Sequence, residues 1–252
     1  MHNALRSKLE RFGPFSGEEK NALDSLILNK RSISRRSYLF QEGDSASTVD
    51  VVLSGFLCRS RGLSSGDRQI FGYLLPGDIA GLNVFIARRM DYDIVAITDC
   101  VVANVRPEAL LATMEAHPSI AKALWWQSLI VEAVLREWIV NLALRRSDER
   151  LAHLLCELMV RLERVGLVKG STYELPLTQQ DLGDTLGLPS IHVNRSLREL
   201  REAGLVTVKG GKVFVHDIER LKRFAGFDDA YLHLSGDGHL ERWKQSNPAI
   251  IE

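Results

Sequence analysis

The spacing of apolar residues changes along this chain of 252 residues, and that change constrains its fold more than any other feature. From Ser32 to about Arg106 the pattern consists of short β-branched runs, such as VDVVLSGFLCRS and DIVAITDCVVANV, with turn residues such as PGD at 76–78 between them. From Pro118 to Arg146 it becomes one long helical pattern. Many short strands are typical of an antiparallel sandwich or barrel. The sequence therefore predicts a β domain followed by helical segments.

Two short helices joined by a glycine-containing turn are predicted from residue 177 onward. Thr178 and Asp181 form a capping box at the start of the first helix, which ends at Gly187. The second helix is predicted from Ser190 to about Ala203. This arrangement is a helix-turn-helix.

A predicted β-hairpin follows the second helix. Its strands are at 205–208 and 212–215, and Lys209-Gly210-Gly211 between them is typical of a hairpin turn. A helix-turn-helix followed by a hairpin is a winged helix. Residues 187–223 contain eight Lys or Arg and four Asp or Glu, although the whole chain has 32 of each class and no net charge. This local basic excess favours DNA as the partner.

The second helix has two different faces. Val193, Leu197 and Leu200 form a stripe that we expect to be buried. The opposite face has side chains long enough to reach base edges, and the guanidinium of Arg195 matches the O6 and N7 acceptors of guanine. The residues predicted to contact bases or phosphates are Thr178, Gln179, Ser190, Ile191, His192, Asn194, Arg195, Arg198, Lys209 and Lys212.

The long helical pattern at 118–146 allows two interpretations. It is either a helix that packs only on its own β domain or a helix that also joins two subunits. A helix of 29 residues is about 43 Å long, which is more than a small domain needs, so we favour the dimer helix. The seam predicted to face a second copy consists of Leu124, Ser128, Val131, Leu135, Trp138 and Leu142.

The order of these segments resembles the Crp/Fnr superfamily of bacterial transcription regulators. The resemblance covers about residues 15–225 and rests on QEGD at 41–44, VDVVLSG at 49–55, LLPGDIAGL at 74–82, LTQQDLGDTLGL and VNRSLRELREAGLV. It implies an α+β chain with an N-terminal β-roll of the double-stranded β-helix or jelly-roll type, a long dimerisation helix and a C-terminal winged helix-turn-helix. The corresponding segments are a cyclic-nucleotide-binding-like sensor domain at 1–117, the dimerisation helix at 118–146, the DNA-binding domain at 147–227 and a polar tail at 228–252.

The recognition helix departs from the family pattern. The family arginine that reads guanine matches Arg195, but Ile191 stands where other members have a base-reading glutamate. Ser190 stands where some members have an arginine. The operator sequences implied by the resemblance therefore do not transfer to this chain.

The predicted effector site also departs from the family. Members that bind cyclic AMP have a glutamate after the Gly-x-x-Gly of the roll and an Arg-Ser pair for the phosphate. This chain has Leu82 at the first position, and no serine follows Arg88-Arg89. We therefore expect an effector other than cyclic AMP at the junction of the roll and the long helix. The predicted pocket residues are Gly81, Leu82, Asn83, Arg88, Arg89, Tyr92, Leu135 and Arg136.

No cofactor, metal site or catalytic motif is evident. The iron–sulfur cluster of oxygen-sensing members needs four cysteines, but this chain has only Cys58, Cys100 and Cys156. The sequence contains no phosphate loop, nucleophile elbow or zinc-ligand set, so we expect a protein that is not an enzyme. It has neither the apolar segment of a signal peptide nor a run long enough to cross a bilayer, so we expect a cytoplasmic protein without a membrane partner.

These features predict a homodimer that binds an inverted repeat in double-stranded DNA with recognition helices about 34 Å apart. The resemblance implies a contact with RNA polymerase, through the loop at 166–175. Two other interpretations stay open. One is a ligand-binding regulatory module that no longer binds DNA. The other is a haem-containing, gas-sensing regulator, for which His117 and His153 are candidate ligands.

Overall fold

The structure is a computed structural model that describes residues 3–233. In these residues the helices α1 to α8 are Ala4–Leu9, Gly17–Leu26, Pro107–Ala116, Pro118–Leu144, Ser147–Glu163, Gln179–Leu186, Ser190–Glu202 and Ile218–Ala225. The strands β1 to β12 are Lys30–Ile33, Tyr38–Phe40, Val49–Ser54, Leu57–Gly62, Arg68–Leu74, Ile79–Ala80, Asp93–Ala96, Cys100–Val105, Val168–Lys169, Thr172–Glu174, Val206–Lys209 and Lys212–Val215. Short 3-10 turns occupy Glu10–Phe12, Leu82–Phe85 and Asp229–Leu232.

The first eight strands form the predicted β-roll. One sheet has the strand order β1-β8-β3-β6 and the other β2-β7-β4-β5, and all the pairs are antiparallel. Buried apolar side chains fill the space between the sheets, among them Val52, Leu57, Leu74, Ile94 and Val102. The α+β class and the order of roll, long helix and winged helix-turn-helix are confirmed.

The N-terminal helix α1 packs on a tight turn of the roll. In this turn Gly77 has a φ of +87°, and a Cβ atom there would lie 2.5 Å from the backbone oxygen of Ala4. Only glycine adopts this conformation and permits this approach without strain. Leu5 and Leu9 are buried in the same cluster as Ile120 of α4. The packing brings the polar face of α1 to the junction of the roll and α4.

Helix α4 uses part of the predicted dimer seam to pack on its own chain. Leu124 is buried against the N-terminal helices, and Trp138 packs on Tyr73 with ring centroids 6.0 Å apart. The indole Nε1 of Trp138 also donates a hydrogen bond of 2.8 Å to Glu157 Oε2. Leu124 and Trp138, which we expected in the intermolecular seam, are thus buried against their own chain. Of the other seam residues, the structure leaves these exposed or half-buried: Ser128, Val131, Leu135 and Leu142.

The exposed apolar residues of α4 form a broad stripe that lies beside the predicted seam and overlaps it at Leu135. They are Trp125, Leu129, Leu135, Ile139, Val140 and Leu144. Apolar residues cover most of the helix surface, so their spacing alone does not indicate which stripe faces the chain's own core. Packing against the roll and α5 selects that stripe.

The C-terminal domain contains two more strands than predicted. Residues 166–175, which we expected to be a loop, contain the hairpin of β9 and β10, and β10 pairs with β12 of the wing. Within the predicted tail at 228–252, Asp229–Leu232 forms a 3-10 turn in which Leu232 is buried. Residues 234–252, the remainder of the predicted tail, lie outside the described residues.

Candidate functional site

The first helix of the helix-turn-helix, α6, begins and ends as predicted. The backbone N–H of Thr178 donates to the Asp181 carboxylate, and the Asp181 N–H donates to Thr178 Oγ1, which is the capping box. Gly187 ends the helix in the left-handed conformation with a φ of +63°. At Gly183 a Cβ atom would lie 2.6 Å from the backbone oxygen of Leu188, so glycine lets the turn fold closely onto α6.

The second helix, α7, presents a polar face to solvent and buries its apolar face. Val193 and Leu200 are fully buried, as expected. The third buried position is Ser196 rather than Leu197, which is half-buried. Residue Ile191, on the opposite face, is 75% exposed.

Two arginines share the exposed face of α7. The Nε atom of Arg195 is 3.6 Å from Glu199 Oε1, and that of Arg198 is 3.9 Å from Glu202 Oε1. These side chains are half exposed or more, so the ion pairs contribute little stability and can exchange for stronger charged partners. His192 lies beside them and is half-buried.

The polar residues at the junction of α6 and α7 bind one another. Asn194 Nδ2 donates to Gln179 Oε1 at 2.8 Å, and Ser190 Oγ donates to Gln180 Oε1 at 3.4 Å. These bonds are exposed and fix the two helices relative to each other. Two predicted contact residues, Gln179 and Asn194, are thus partners of each other in this structure.

The wing carries the two predicted lysines. Gly210 and Gly211 at its tip have φ values of +60° and +74°, which a two-residue type I′ hairpin turn requires. Lys209 and Lys212 flank them and are exposed. Lys212 Nζ lies 3.3 Å from Glu174 Oε1 on the neighbouring strand β10.

Helix α6 is docked on the β-roll of its own chain. The guanidinium of Arg68, on β5, donates to Asp184 Oδ2 and to Asp181 Oδ1, each at 2.7 Å. The hydroxyl of Tyr73 lies 2.5 Å from that of Thr185, and both residues are buried. These contacts link the roll directly to the helix-turn-helix, which sequence spacing gave no means of predicting.

Two adjoining cavities of about 220 Å³ each lie between the roll and α4. We call the one beside the loop after β6 the roll cavity. Five of the predicted effector-pocket residues line it: Gly81, Leu82, Asn83, Tyr92 and Leu135. The other three predicted residues, Arg88, Arg89 and Arg136, line neither cavity. The Arg89 guanidinium donates to the Gly43 backbone oxygen, Arg136 pairs with Glu132, and Arg88 is exposed.

The second cavity, which we call the junction cavity, lies where α1, the roll, α4 and α5 meet. Its charged lining was missed in the sequence: Lys8, Arg11, Arg59, Asp78, Arg161 and Arg164. These residues come from distant parts of the chain. A local signal exists for Arg161, which follows Glu157 by four residues in α5, the spacing of a helical ion pair.

Asp78 lies at the centre of the charges around the junction cavity. Its carboxylate is 2.5 Å from Lys8 Nζ and 3.5 Å from Arg161 Nη2. Burial opposes its ionisation, but the attraction to Lys8 and Arg161 outweighs burial and lowers the pKa of Asp78 to about 2. Burial lowers the pKa of Lys8 to about 8, although Asp78 favours its charged form. Burial also lowers the pKa of Arg11 to about 10.

Arg161 connects this cluster to the DNA-binding half of the chain. Its Nη2 donates to the Tyr73 backbone oxygen at 2.7 Å, and its Nη1 donates to Glu157 Oε1 at 3.0 Å. Glu157 is fully buried and also accepts hydrogen bonds from Trp138 Nε1 and the Tyr231 hydroxyl. The roll, α4, α5 and the C-terminal turn therefore share one polar network.

Comparison with known proteins assigns both halves of the chain. Residues 30–117 match the model of the cyclic nucleotide-binding domain, and residues 149–224 match that of the Crp-like helix-turn-helix domain. The chain belongs to the Crp/Fnr superfamily.

Curated relatives of this Crp/Fnr chain are transcription regulators. The transcriptional activator protein FnrL of Cereibacter sphaeroides is 29% identical over 202 residues, which cover 79% of this chain and 81% of the relative. The nitrogen fixation regulation protein FixK of Azorhizobium caulinodans is 28% identical over 75% of this chain and 76% of the relative. The structure is similar to that of FixK2 from Bradyrhizobium japonicum, with a TM-score of 0.71, 26% identity and coverage of 79% and 98% of the two chains.

The cysteines of this Crp/Fnr chain do not fit an iron–sulfur cluster. Cys58 and Cys156 are fully buried, and burial raises the pKa of each thiol to about 12. Cys100 lies inside the roll, where burial also raises its pKa. Cluster ligands are thiolates, four to a cluster, whereas this chain has three cysteines, all of them buried and free.

The site does not fit a cyclic nucleotide in the way the resemblance implies. At the position of the family glutamate, Leu82 offers no group for a ribose hydroxyl, and Arg88 and Arg89 lie outside both cavities. The candidate haem ligand His153 is 1% exposed, and its ring packs against those of Phe227 and Tyr231. These contacts are those of a residue in the protein core. His117 precedes α4 at its N-terminus.

Among residues 3–233, no helix is long and apolar enough to cross a membrane.

Proposed function

We propose that this chain is a homodimeric, sequence-specific DNA-binding transcription regulator that acts in the cytoplasm and is not an enzyme. The observation that carries the proposal is the geometry of α7. Its apolar side is buried through Val193 and Leu200, while Ile191, Arg195 and Arg198 face solvent. A helix that reads the major groove needs this division, because only an exposed, rigidly held face can contact base edges.

Each DNA contact in the proposal follows from where a side chain lies. Arg195 reads a guanine, and Ile191 contacts a thymine methyl group. Lys209 and Lys212 in the wing and Thr178 at the start of α6 bind phosphates. The other predicted contact residues border the same face: Gln179, Ser190, His192, Asn194 and Arg198.

The exposed stripe of α4 supports a dimer. Trp125, Ile139 and Leu144 are 61%, 67% and 79% exposed, which is unusual for large apolar side chains spaced along one helix. Pairing two copies of α4 covers this stripe and places the two recognition helices on one face of the DNA. The operator in this proposal is an inverted repeat with half-sites about 34 Å apart.

The proposed control site is the pair of cavities between the roll and α4. An effector there contacts the roll and α4 at once, so it shifts the population of dimers that are competent to bind DNA. The DNA-bound regulator then contacts RNA polymerase through the β9–β10 hairpin, in line with the resemblance.

Selection of bound sequences from a random duplex pool tests the proposed function. Purified full-length protein should enrich an inverted repeat. Arg195→Ala, run in parallel, should lose the preference at one position of each half-site. Enrichment of single half-sites would contradict the dimer, and failure of folded protein to enrich any sequence at low salt would support a regulatory module that no longer binds DNA.

A further inference from the structure

The junction cavity has a strong excess of positive charge. Among the described residues, five cations line it, namely Lys8, Arg11, Arg59, Arg161 and Arg164, and one carboxylate, that of Asp78. Asp78 is already bound to Lys8 and Arg161. Arg161 is also paired with Glu157, and Arg164 is exposed. The remaining cations are half-buried, and they repel one another unless anions balance them.

Among the described residues, Arg11 and Arg59 form no ion pair with a carboxylate, and their hydrogen-bond partners are neutral. Arg11 Nη2 donates to Gln127 Oε1, and Arg59 Nη2 donates to the Ile79 backbone oxygen at 3.2 Å. The Nε atoms of both arginines are buried and have no hydrogen-bond partner. A buried charged donor without a partner is costly, so both groups lack the kind of acceptor that a guanidinium binds best. That acceptor is a carboxylate or a phosphate, which binds two donors of the fork at once.

The adjoining roll cavity adds an apolar compartment. Arg59, Asp78 and Gln127 line both cavities, and so do Phe71, Val131 and Leu135. Phe71 and Tyr92 meet there edge to face, with ring centroids 5.5 Å apart. One molecule with a charged end and a flat apolar body fits these two environments.

We propose that the junction cavity binds the oxyanion group, carboxylate or phosphate, of a small organic ligand through Arg11 and Arg59. The apolar body of the ligand lies in the roll cavity, against Phe71 and Tyr92. This inference rests on the proposed function, because it names the chemical class of the effector. It places the charged end between the 3-10 turn after α1, which holds Arg11, and strand β4, which holds Arg59. Arg161 of α5 lines the same cavity.

The site connects the ligand to the DNA-binding domain through charge. Asp78 in the roll and Arg161 in α5 lie 3.5 Å apart and line the same cavity as Arg11 and Arg59. An anion bound there competes with Asp78 for the surrounding cations. Ligand binding therefore changes the electrostatic contact between the roll and α5.

Calorimetric titration of the full-length protein with three probes tests the site. Phenyl phosphate and benzoate carry the two oxyanions on the same ring, and phenol is the uncharged control. We expect at least one anion to bind with a Kd of about 1 mM or tighter and phenol not to bind. The stronger anion shows whether the site prefers phosphate or carboxylate. Absence of heat from both anions would overturn the proposal.

Matched variants keep the test independent of folding. Arg59→Met should weaken binding of the preferred anion about tenfold or more, whereas Arg61→Met, an exposed arginine on the same strand, should leave Kd unchanged. Without a probe, Arg59→Met should melt at the same temperature as the wild type or higher, because it removes a half-buried charge that has no anionic partner. Equal Kd values for both variants, or a large drop in the melting temperature of Arg59→Met, would contradict the assignment. These measurements use no DNA, so their failure is distinguishable from failure of the proposed DNA binding.

Discussion

At the scale of single residues, Arg195 carries the most specific expectation. The guanidinium lies on the exposed face of α7 and has one weak partner, Glu199. Arg195→Ala should weaken binding to the selected operator by about 1–3 kcal/mol and relax the preference at one base position. Fluorescence anisotropy with the operator and with single-base variants measures both effects. Unchanged affinity for the operator would show that α7 is not the recognition helix.

Lys212, in the wing, gives the corresponding test of a phosphate contact. Lys212→Ala should lower affinity evenly across DNA sequences and reduce the slope of log K against log salt by about one. Its present partner, Glu174 at 3.3 Å, is exposed and holds the lysine only weakly. Titrations at several salt concentrations, on operator and non-operator DNA, check this. A loss confined to one sequence would assign the lysine to base recognition instead.

His153 should make the stability of the protein depend on pH. Its Nε2 lies 3.2 Å from Glu137 Oε1 without the alignment of a hydrogen bond, and burial lowers its pKa from 6.5 to about 3. In the unfolded chain the ring binds a proton below its ordinary pKa, but in the folded chain it does not. The contribution of His153 to the free energy of unfolding is therefore fully present above pH 6.5. It is lost as the pH falls from 6.5 to 3, by up to about 1.4 kcal/mol per pH unit.

Urea unfolding at about pH 7 and about pH 5.5 measures this dependence, above the range in which most carboxylates titrate. His153→Gln should flatten the fall in stability, whereas His216→Gln, at an exposed position, should leave it as in the wild type. A wild-type slope in His153→Gln would mean that another group carries the pH dependence.

At the scale of elements, the contact between α6 and the roll gives a testable expectation for stability. Arg68 reaches Asp181 and Asp184 of α6, each at 2.7 Å, and is about one-third exposed. Arg68→Ala should increase hydrogen exchange in α6 and lower the free energy of unfolding by about 1–3 kcal/mol, because two carboxylates lose their charged partner. Arg61→Ala, which removes an exposed pair on the neighbouring strand, should change it by less than about 0.5 kcal/mol. If the two variants behaved alike, the contact between Arg68 and α6 would contribute nothing to the free energy of unfolding.

At the scale of the whole molecule, the oligomeric state depends on the exposed stripe of α4. Ile139→Asp places a charge in the centre of that stripe, so it should convert the dimer to a monomer and abolish binding to the inverted repeat. Leu63→Asp, at an equally exposed apolar residue of the roll, is the control and should stay dimeric. Sedimentation equilibrium measures the mass of each. A dimeric Ile139→Asp protein would place the interface elsewhere.

The helix-turn-helix and the wing were determined by the sequence almost alone. The capping box of Thr178 and Asp181, the left-handed glycine at Gly187 and the Gly210-Gly211 turn all act within a few residues of the chain, so local rules predict them. The β-roll was predictable as a class for the same reason, because its short strands and turn residues have a recognisable period.

Only the tertiary structure decided which side of α4 faces its own chain and where the charged cavity lies. Apolar residues cover most of α4, so its spacing fits several stripes, and packing buries Leu124 and Trp138 while it exposes Ile139. Lys8 and Arg161 are 153 positions apart and meet only because both border Asp78. Periodicity reports the neighbours of a residue along one element. It carries no information on contacts between elements, and the junction cavity consists of such contacts.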